Sequence, residues 1–430
     1  MPYFIPSVTV VDPGGAHHEQ QVALRIDGTR IAAVAPAGGL TAAAGDERLD
    51  LPDTARVSPG WIDLQAHLQD PGHEHKETLT ALARAAVLGG FTDLLCYPET
   101  DPPLDRAQLI EGLLRRTEGL PTRLHLLGCL TEGGAGHELA ELVDMHRVGA
   151  VAFTDGLTRP HDSGVLLRCL RYLSSFGGLM LLSPLETRLV PDGQMNESPQ
   201  AVRLGMRGIP EVAESMTVAQ ELELLAYQPG RVHYQPLTSP RALAQVVALR
   251  QAVGAQGAPT VGVPLPYLLH DDTELAAFDT TFKLMPPLRS PAQREALRAA
   301  LKRGEIDLVT SGHLAQGREE KDLEFALAEP GMLTLPTFYP MALTLVRDGL
   351  LDESGLIRLL TQRPREVLGW PELHLAAGAE ARLTFFDPSA TWVLHQQALP
   401  SRAKNSPYLG RTLQGRVLGT VLGGRWQGVG

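Results

Sequence analysis

The chain has 430 residues, 43% hydrophobic and 20% charged, a balance that fits a soluble globular protein long enough for one large α/β barrel and a small second domain. Its formal net charge of −11 argues against nucleic acid or an anionic membrane surface as the main partner. No apolar run reaches the roughly 18 residues that a membrane-spanning helix needs.

In chain order, the opening MPYFIPSVTVVDPGG shows no basic stretch followed by an apolar core, so no secretory signal is expected and the protein is placed in the cytoplasm. Residues 1–55 then alternate in the manner of strands (VALRIDGTRIAAV), with Asp27-Gly28 as a hairpin turn. Eight short apolar runs follow: 60–67 (GWIDLQAH), 91–98, 122–130, 149–155, 178–185, 231–238, 259–267 and 306–313. Amphipathic stretches separate them, among them ETLTALARAAVLGG, a segment around Thr217–Leu225, and PAQREALRAALKRG. The last starts at an N-cap, Ser290, with Pro291 as first helical residue, and stops at Gly304. Strand and helix alternating in this way predict a (β/α)8 barrel, whose chemistry sits at the C-terminal ends of the strands. Strand-like alternation returns in ARLTFFDP and GRVLGTVLGGRWQ. Residues 1–55 and 375–430 are therefore expected to form one small β-sandwich-like domain beside a barrel of residues 56–374. Cys96, Cys129 and Cys169 lie in apolar stretches without CxxC spacing and read as buried thiols of a reducing compartment.

PGWIDLQAHLQDPGHEHKETL resembles the dihydroorotase signature, a Pro-Gly-x-x-Asp-x-His-x-His strand followed by a Pro-Gly loop. FKLMPPLRSPAQREAL, GEIDLVTSGHLAQGREEKDLEF and SRAKNSPYLGRTLQGRVLGTVLGGRWQ resemble later blocks of the same family, in the same order. The resemblance runs through nearly the whole chain and implies a metal-dependent amidohydrolase barrel. Such a site needs imidazoles and carboxylates to hold zinc, which lowers the pKa of a bound water, and a further carboxylate to take its proton.

The positions this resemblance assigns to ligands are largely substituted. The His-x-His pair, which alternation puts on one side of a strand, is Gln65-Ala66-His67. Ser183 and Pro236 stand where strands 5 and 6 of the family carry ligand histidines; Glu186 is a conceivable stand-in carboxylate, and His233 matches an earlier, non-liganding histidine. The base and ligand of the Thr-Asp-His-Ala-Pro-His block is Gly312. Asp155 is what remains of a tandem aspartate, followed by Gly156, and which of the two survived stays open. Only five of the 38 basic residues are lysines, and none lies between Lys76 and Lys283, so the middle of the barrel cannot supply a carbamylated lysine bridge. Substrate positions change in parallel: Gln69 for the carboxylate-gripping arginine, and Glu99 and Met285 for asparagines.

No metal and no catalytic residue is therefore expected, with His67, Asp155 and His313 as remnants that either hold one ion or are hydrogen-bonded in a collapsed pocket. His73 and His75 read as loop residues, His17, His18 and His161 as surface residues, and Glu320-Lys321 as either a loop ion pair or a functional block. A chain that keeps its fold and loses its chemistry keeps a binding role. Some bacterial dihydroorotase-like proteins without catalytic residues assemble with aspartate transcarbamoylase, so the resemblance implies such a partner and a homo- or hetero-oligomer. The alternatives are a cyclic-amide hydrolase working with one zinc ion, and a small-molecule sensor using the old pocket.

Overall fold

The computed structural model describes residues 2–156, 162–254 and 258–429; His161 falls outside them. Strands β1 (Tyr3–Val10), β2 (Gln21–Asp27), β3 (Arg30–Pro36), β4 (Glu47–Arg48) and β5 (Arg56–Pro59) occupy the N-terminal segment. The barrel strands begin with β6 (Trp61–His67), β7 (Phe91–Tyr97), β8 (Arg123–Gly128), β9 (Ala152–Phe153) and β10 (Leu179–Leu182). After an excursion carrying β11 (Met195–Asn196) and β12 (Gly208–Ile209) come β13 (Arg231–Tyr234), β14 (Thr260–Pro264) and β15 (Leu308–Thr310). Strands β16 (Leu383–Val393), β17 (Thr412–Leu422) and β18 (Arg425–Gly428) complete the chain.

The order β6-β7-β8-β9-β10-β13-β14-β15 is parallel throughout. The ring closes where the His67 amide donates to the His313 carbonyl at 3.0 Å and the His313 amide donates to the Gln65 carbonyl at 3.2 Å. This is the (β/α)8 barrel. Each of the eight expected runs contains a strand, and the strands are shorter than the runs because their proline-, glycine- and polar-rich ends leave the ladder to form the mouth. Ile62, Leu64, Leu95, Tyr97, Leu127, Leu179, Leu181 and Leu308 form an inner core, with Val367 and Leu368 packed against it. Burying each such side chain stabilises the fold by about 1.5–3 kcal/mol. Pairing of β6 with β7 slips between Asp63 and Ala66. Ile62 and Leu64 thus join the inner core, while Gln65 and His67 line the cavity above it.

The helices start and stop where their caps allow. Helix Pro291–Lys302 has the Ser290–Gln293 capping box with Pro291 in its first turn, and Gly304 follows at φ +73°. Helix Leu79–Gly89 is capped by the Thr78 hydroxyl, which accepts from the Ala81 amide.

Both ends of the chain enter one sheet, ordered β18-β17-β16-β5-β1-β2-β3, with β4 beside β1. Gly28 turns the β2–β3 hairpin at φ +54°. The sheet curls, since the Tyr3 hydroxyl accepts from the Trp426 amide at 3.2 Å, and it has its own apolar core. Trp61 joins sheet to barrel: its indole N–H donates to the Ser58 hydroxyl at 2.8 Å and its ring packs against both Tyr339 and Phe386. Cys96, Cys129 and Cys169 are buried free thiols. No helix among the described residues is long and apolar enough to cross a membrane.

Candidate functional site

A cavity of about 260 Å³ opens at the C-terminal mouth of the barrel. Gln65 and His67 come from the end of β6, Glu99 from the loop after β7, Pro236 from the loop after β13, Pro264 from the end of β14 and Gly312 from the loop after β15. Gln69, Met285, Lys76, His73, Tyr267, Gln316 and Glu329 complete much of the wall. The segments that the sequence singled out after β6, β7, β13 and β15 therefore meet at one place.

His67 is 3% exposed and donates from Nδ1 to Glu99 Oε2 at 2.8 Å, with its ring against Tyr97 at 4.8 Å between centroids. The Glu99 carboxylate stands where a side chain of residue 156 would be. A Cβ built on Gly156 would lie 1.9 Å from Glu99 Oε1, and Gly156 has φ +92°, in the left-handed region. Glycine at 156 and glutamate at 99 therefore fit together, and the carboxylate–imidazole pair fills the space beside Gly156. Gly312 is also left-handed, at φ +61°, with a built Cβ 2.9 Å from the Pro264 side chain. The backbone at position 312 is shaped for a residue without a side chain. Gln65 is committed to the barrel, its Oε1 accepting from the Thr310 hydroxyl at 3.2 Å. Lys76 enters the wall from the loop after β6, its Nζ donating to Gln316 Oε1 at 2.9 Å and lying 3.3 Å from Glu320.

Asp155, His313 and Ser183 do not reach this cavity. Asp155 turns to Thr131, accepting from its amide at 2.9 Å and its hydroxyl at 2.5 Å. His313 points out of the barrel. Its Nδ1 accepts from the amides of Thr334 and Leu335 at 3.2 and 3.3 Å, so its Nε2 carries the proton and donates to the buried Glu77 at 3.0 Å. Asp63 lies close by, accepting from the Ser311 amide and hydroxyl, and burial pushes its carboxyl up to about 6 against those hydrogen bonds. Ser183 and Glu186 line a separate cavity of about 490 Å³, and Glu186 is taken up by Arg188 at 2.8–3.0 Å. His67, Asp155 and His313 thus lie apart, and Glu186 is held by Arg188 away from the mouth cavity. His233 is sealed between Thr260 and Gln235, and burial pulls it down to about 4.

His73 sits on its loop with its ring 6.1 Å from that of His75 and also lines the cavity, while His75 is exposed beside Glu320 at 3.4 Å. Two other expectations change. His18 is half-buried, accepting from the Asp12 amide at 3.3 Å and contacting the Ser354 hydroxyl at 3.2 Å. Lys321 does not pair with Glu320. It donates to the carbonyls of Thr280 and Glu329 at 2.7 Å and so ties two mouth loops together, with burial pulling it down to about 7. Sequence reasoning missed Lys76, Glu77 and Gln316. The first two stand inside the signature block, where a charged pair in a region poor in lysine was a usable signal.

A family model described as "Dihydro-orotase-like" matches residues 55–236. The chain is 36% identical over 436 residues to the dihydroorotase of Anaeromyxobacter dehalogenans strain 2CP-C, covering 98% of this chain and 96% of the relative. The chain belongs to the dihydroorotase-like amidohydrolases. The "Dihydroorotase-like protein" of Pseudomonas putida is also 36% identical, with 96% of each chain covered. Among solved structures, the L-hydantoinase (dihydropyrimidinase) from Arthrobacter aurescens superposes with TM-score 0.84 at 20% identity, covering 99% of this chain and 95% of that one, which is a likeness of fold.

Zinc in this family of barrels would need several imidazole or carboxylate donors converging on one point. Here the cavity presents an amide at Gln65, no donor at Pro236 and no side chain at Gly312, and its one buried imidazole is tied to Glu99. Among the described residues no group of three or more His, Cys, Asp or Glu side chains could hold a metal ion. The donor set does not fit zinc.

Proposed function

We propose that this dihydroorotase-like chain serves de novo pyrimidine synthesis in the cytoplasm as a non-catalytic companion of aspartate transcarbamoylase. The reading rests on one observation: Gln65, Pro236 and Gly312 face the same cavity at positions where hydrolysis by this family's route needs metal ligands and a base. The wall also opposes an anionic substrate, because Glu99 and Glu329 line it and its lysine, Lys76, is 3.3 Å from Glu320. The companion role follows the resemblance to degenerate bacterial dihydroorotase-like chains, and the Pseudomonas relative's printed name is consistent with it.

A second reading is favoured by the naming of relatives 36% identical over 98% of the chain as dihydroorotases. In that reading the cavity hydrolyses a cyclic amide, dihydroorotate or a close analogue, and His67 oriented by Glu99 takes the proton from the attacking water. One experiment separates the two. The purified chain, supplied with zinc, is assayed for dihydroorotate hydrolysis and passed over a sizing column with aspartate transcarbamoylase from the same organism. Co-elution without turnover is expected. Zinc-dependent turnover abolished by His67→Ala would overturn the companion reading in favour of the hydrolase.

A further inference from the structure

At the opposite end of the barrel from the mouth, the first residues of β7 and β8 meet helix Gln362–Leu368 and the start of β16. A cavity of about 310 Å³ opens there, lined by Arg123, His125, Arg365, Trp370 and Arg382, with Glu372 and Glu380 on its rim. Asp93 and Glu380 balance part of this positive charge. Asp93 accepts from His125 at 2.8 Å and from Arg382 at 3.0 Å, and Glu380 takes the other end of the Arg382 guanidinium at 2.9 and 3.2 Å. Glu380 also lies 3.8 Å from Arg123. Glu372 is 66% exposed and lies 3.3 Å from His374.

Arg365 is left over. It is 7% exposed and donates from Nη1 to the Pro371 carbonyl at 3.1 Å, but among the described residues its Nε and Nη2 are buried without a hydrogen-bond partner, as is the Nε of Arg382. A guanidinium offers its donors as a planar fork that matches one carboxylate or phosphate face, and leaving buried donors unmet is costly. Two guanidinium groups held close together add mutual repulsion that an anion between them relieves. Trp370, its ring 4.7 Å from that of His125, gives the cavity an apolar side wall.

We propose that this basal cavity binds a small oxoanion, a carboxylate or phosphate group, gripped by Arg365 and Arg382 and covered by Arg123. Arg123 and His125 also line the adjoining cavity of about 470 Å³, so a ligand larger than the anion itself has room to continue. The site is separate from the mouth and stands whichever reading of the mouth holds.

The test is calorimetric titration of the full-length protein with inorganic phosphate and, separately, acetate, against a sodium chloride background of constant ionic strength. Saturable binding of at least one anion with a dissociation constant of roughly 1 mM or tighter is expected. Phosphate alone binding assigns a phosphorylated ligand, and both binding assigns a carboxylate-tolerant site. Arg365→Met is expected to weaken binding at least about tenfold, the loss of a charged hydrogen-bonding partner. Should that variant not fold, Arg123→Gln, at a side chain 49% exposed, is expected to weaken binding about threefold. Flat titrations with both anions, or unchanged binding in the folded variants, overturn the proposal and leave Arg365 solvated by water.

Discussion

Gly156→Ala tests whether Glu99 occupies the space left by a missing side chain. The new Cβ would meet Oε1, Cδ and Cγ of Glu99 at 1.9, 2.3 and 2.8 Å, so the glutamate must swing away and release His67. Left-handed backbone costs an alanine about 1 kcal/mol. Losing the half-exposed carboxylate–imidazole bond adds about 1.5 kcal/mol, and the displaced rotamer about 0.5 kcal/mol. The single variant should therefore lose about 3 kcal/mol, and Glu99→Ala alone about 1.5 kcal/mol, in urea unfolding monitored by circular dichroism. In the double variant the collision is gone, so the loss should be about 2.5 kcal/mol against an additive sum of about 4.5 kcal/mol. A coupling energy near 2 kcal/mol supports the steric pairing. Additivity of the two losses would refute it, since the carboxylate would then not be what residue 156 meets.

Three other outcomes are expected. Gly312→Asp should restore no dihydroorotate hydrolysis and should lower stability by about 1–2 kcal/mol, because φ is +61° and the new Cβ meets Pro264 at 2.9 Å; a gain of turnover would speak against this. Dialysis against zinc followed by elemental analysis should leave less than about 0.1 zinc per chain, whereas near-stoichiometric metal would mean that the cavity donors do converge. Glu221 is buried, and burial pushes its carboxyl up to about 8. An acid with a raised folded pKa binds its proton more tightly when folded, so its ionisation destabilises the fold as pH rises from about 4.5 to about 8. Glu221→Gln should therefore gain on the order of 4 kcal/mol over the parent between pH 4 and pH 8.5, and parallel pH profiles of the two proteins would count against it.

Barrel strands were legible because strands of a parallel sheet are buried on both faces and read as continuous apolar runs, and the helix Pro291–Lys302 because Ser290, Pro291 and Gln293 announce it locally. The meeting of Gln65, Pro236 and Gly312 at one cavity was legible from motif order, which fixes which strand end each occupies. Side-chain direction was not. His313 and Gly312 are neighbours, yet the imidazole leaves the barrel for Glu77 while Gly312 faces the cavity. Ser183 sits on a mouth loop, but that loop opens on another cavity. The fit of Glu99 to Gly156 joins residues far apart in sequence and depends on a backbone angle that neither residue states by itself.

The order in which the strands are made matters for the nascent protein. Strand β5 borders β1 on one side and waits for β16 on the other, and the whole barrel is translated between them. Until Leu383 and its neighbours have left the ribosome, β5 offers an open ladder edge, and Ile5, Leu24, Ile26 and Val57 lack the covering that Phe385 and Val421 later provide. A chain cut short within the barrel therefore carries a half-built sticky sheet at its front, a target for chaperones and for aggregation. Pairing of β16 with β5 is what hides that edge, so these later strands act as a seal on the barrel made before them.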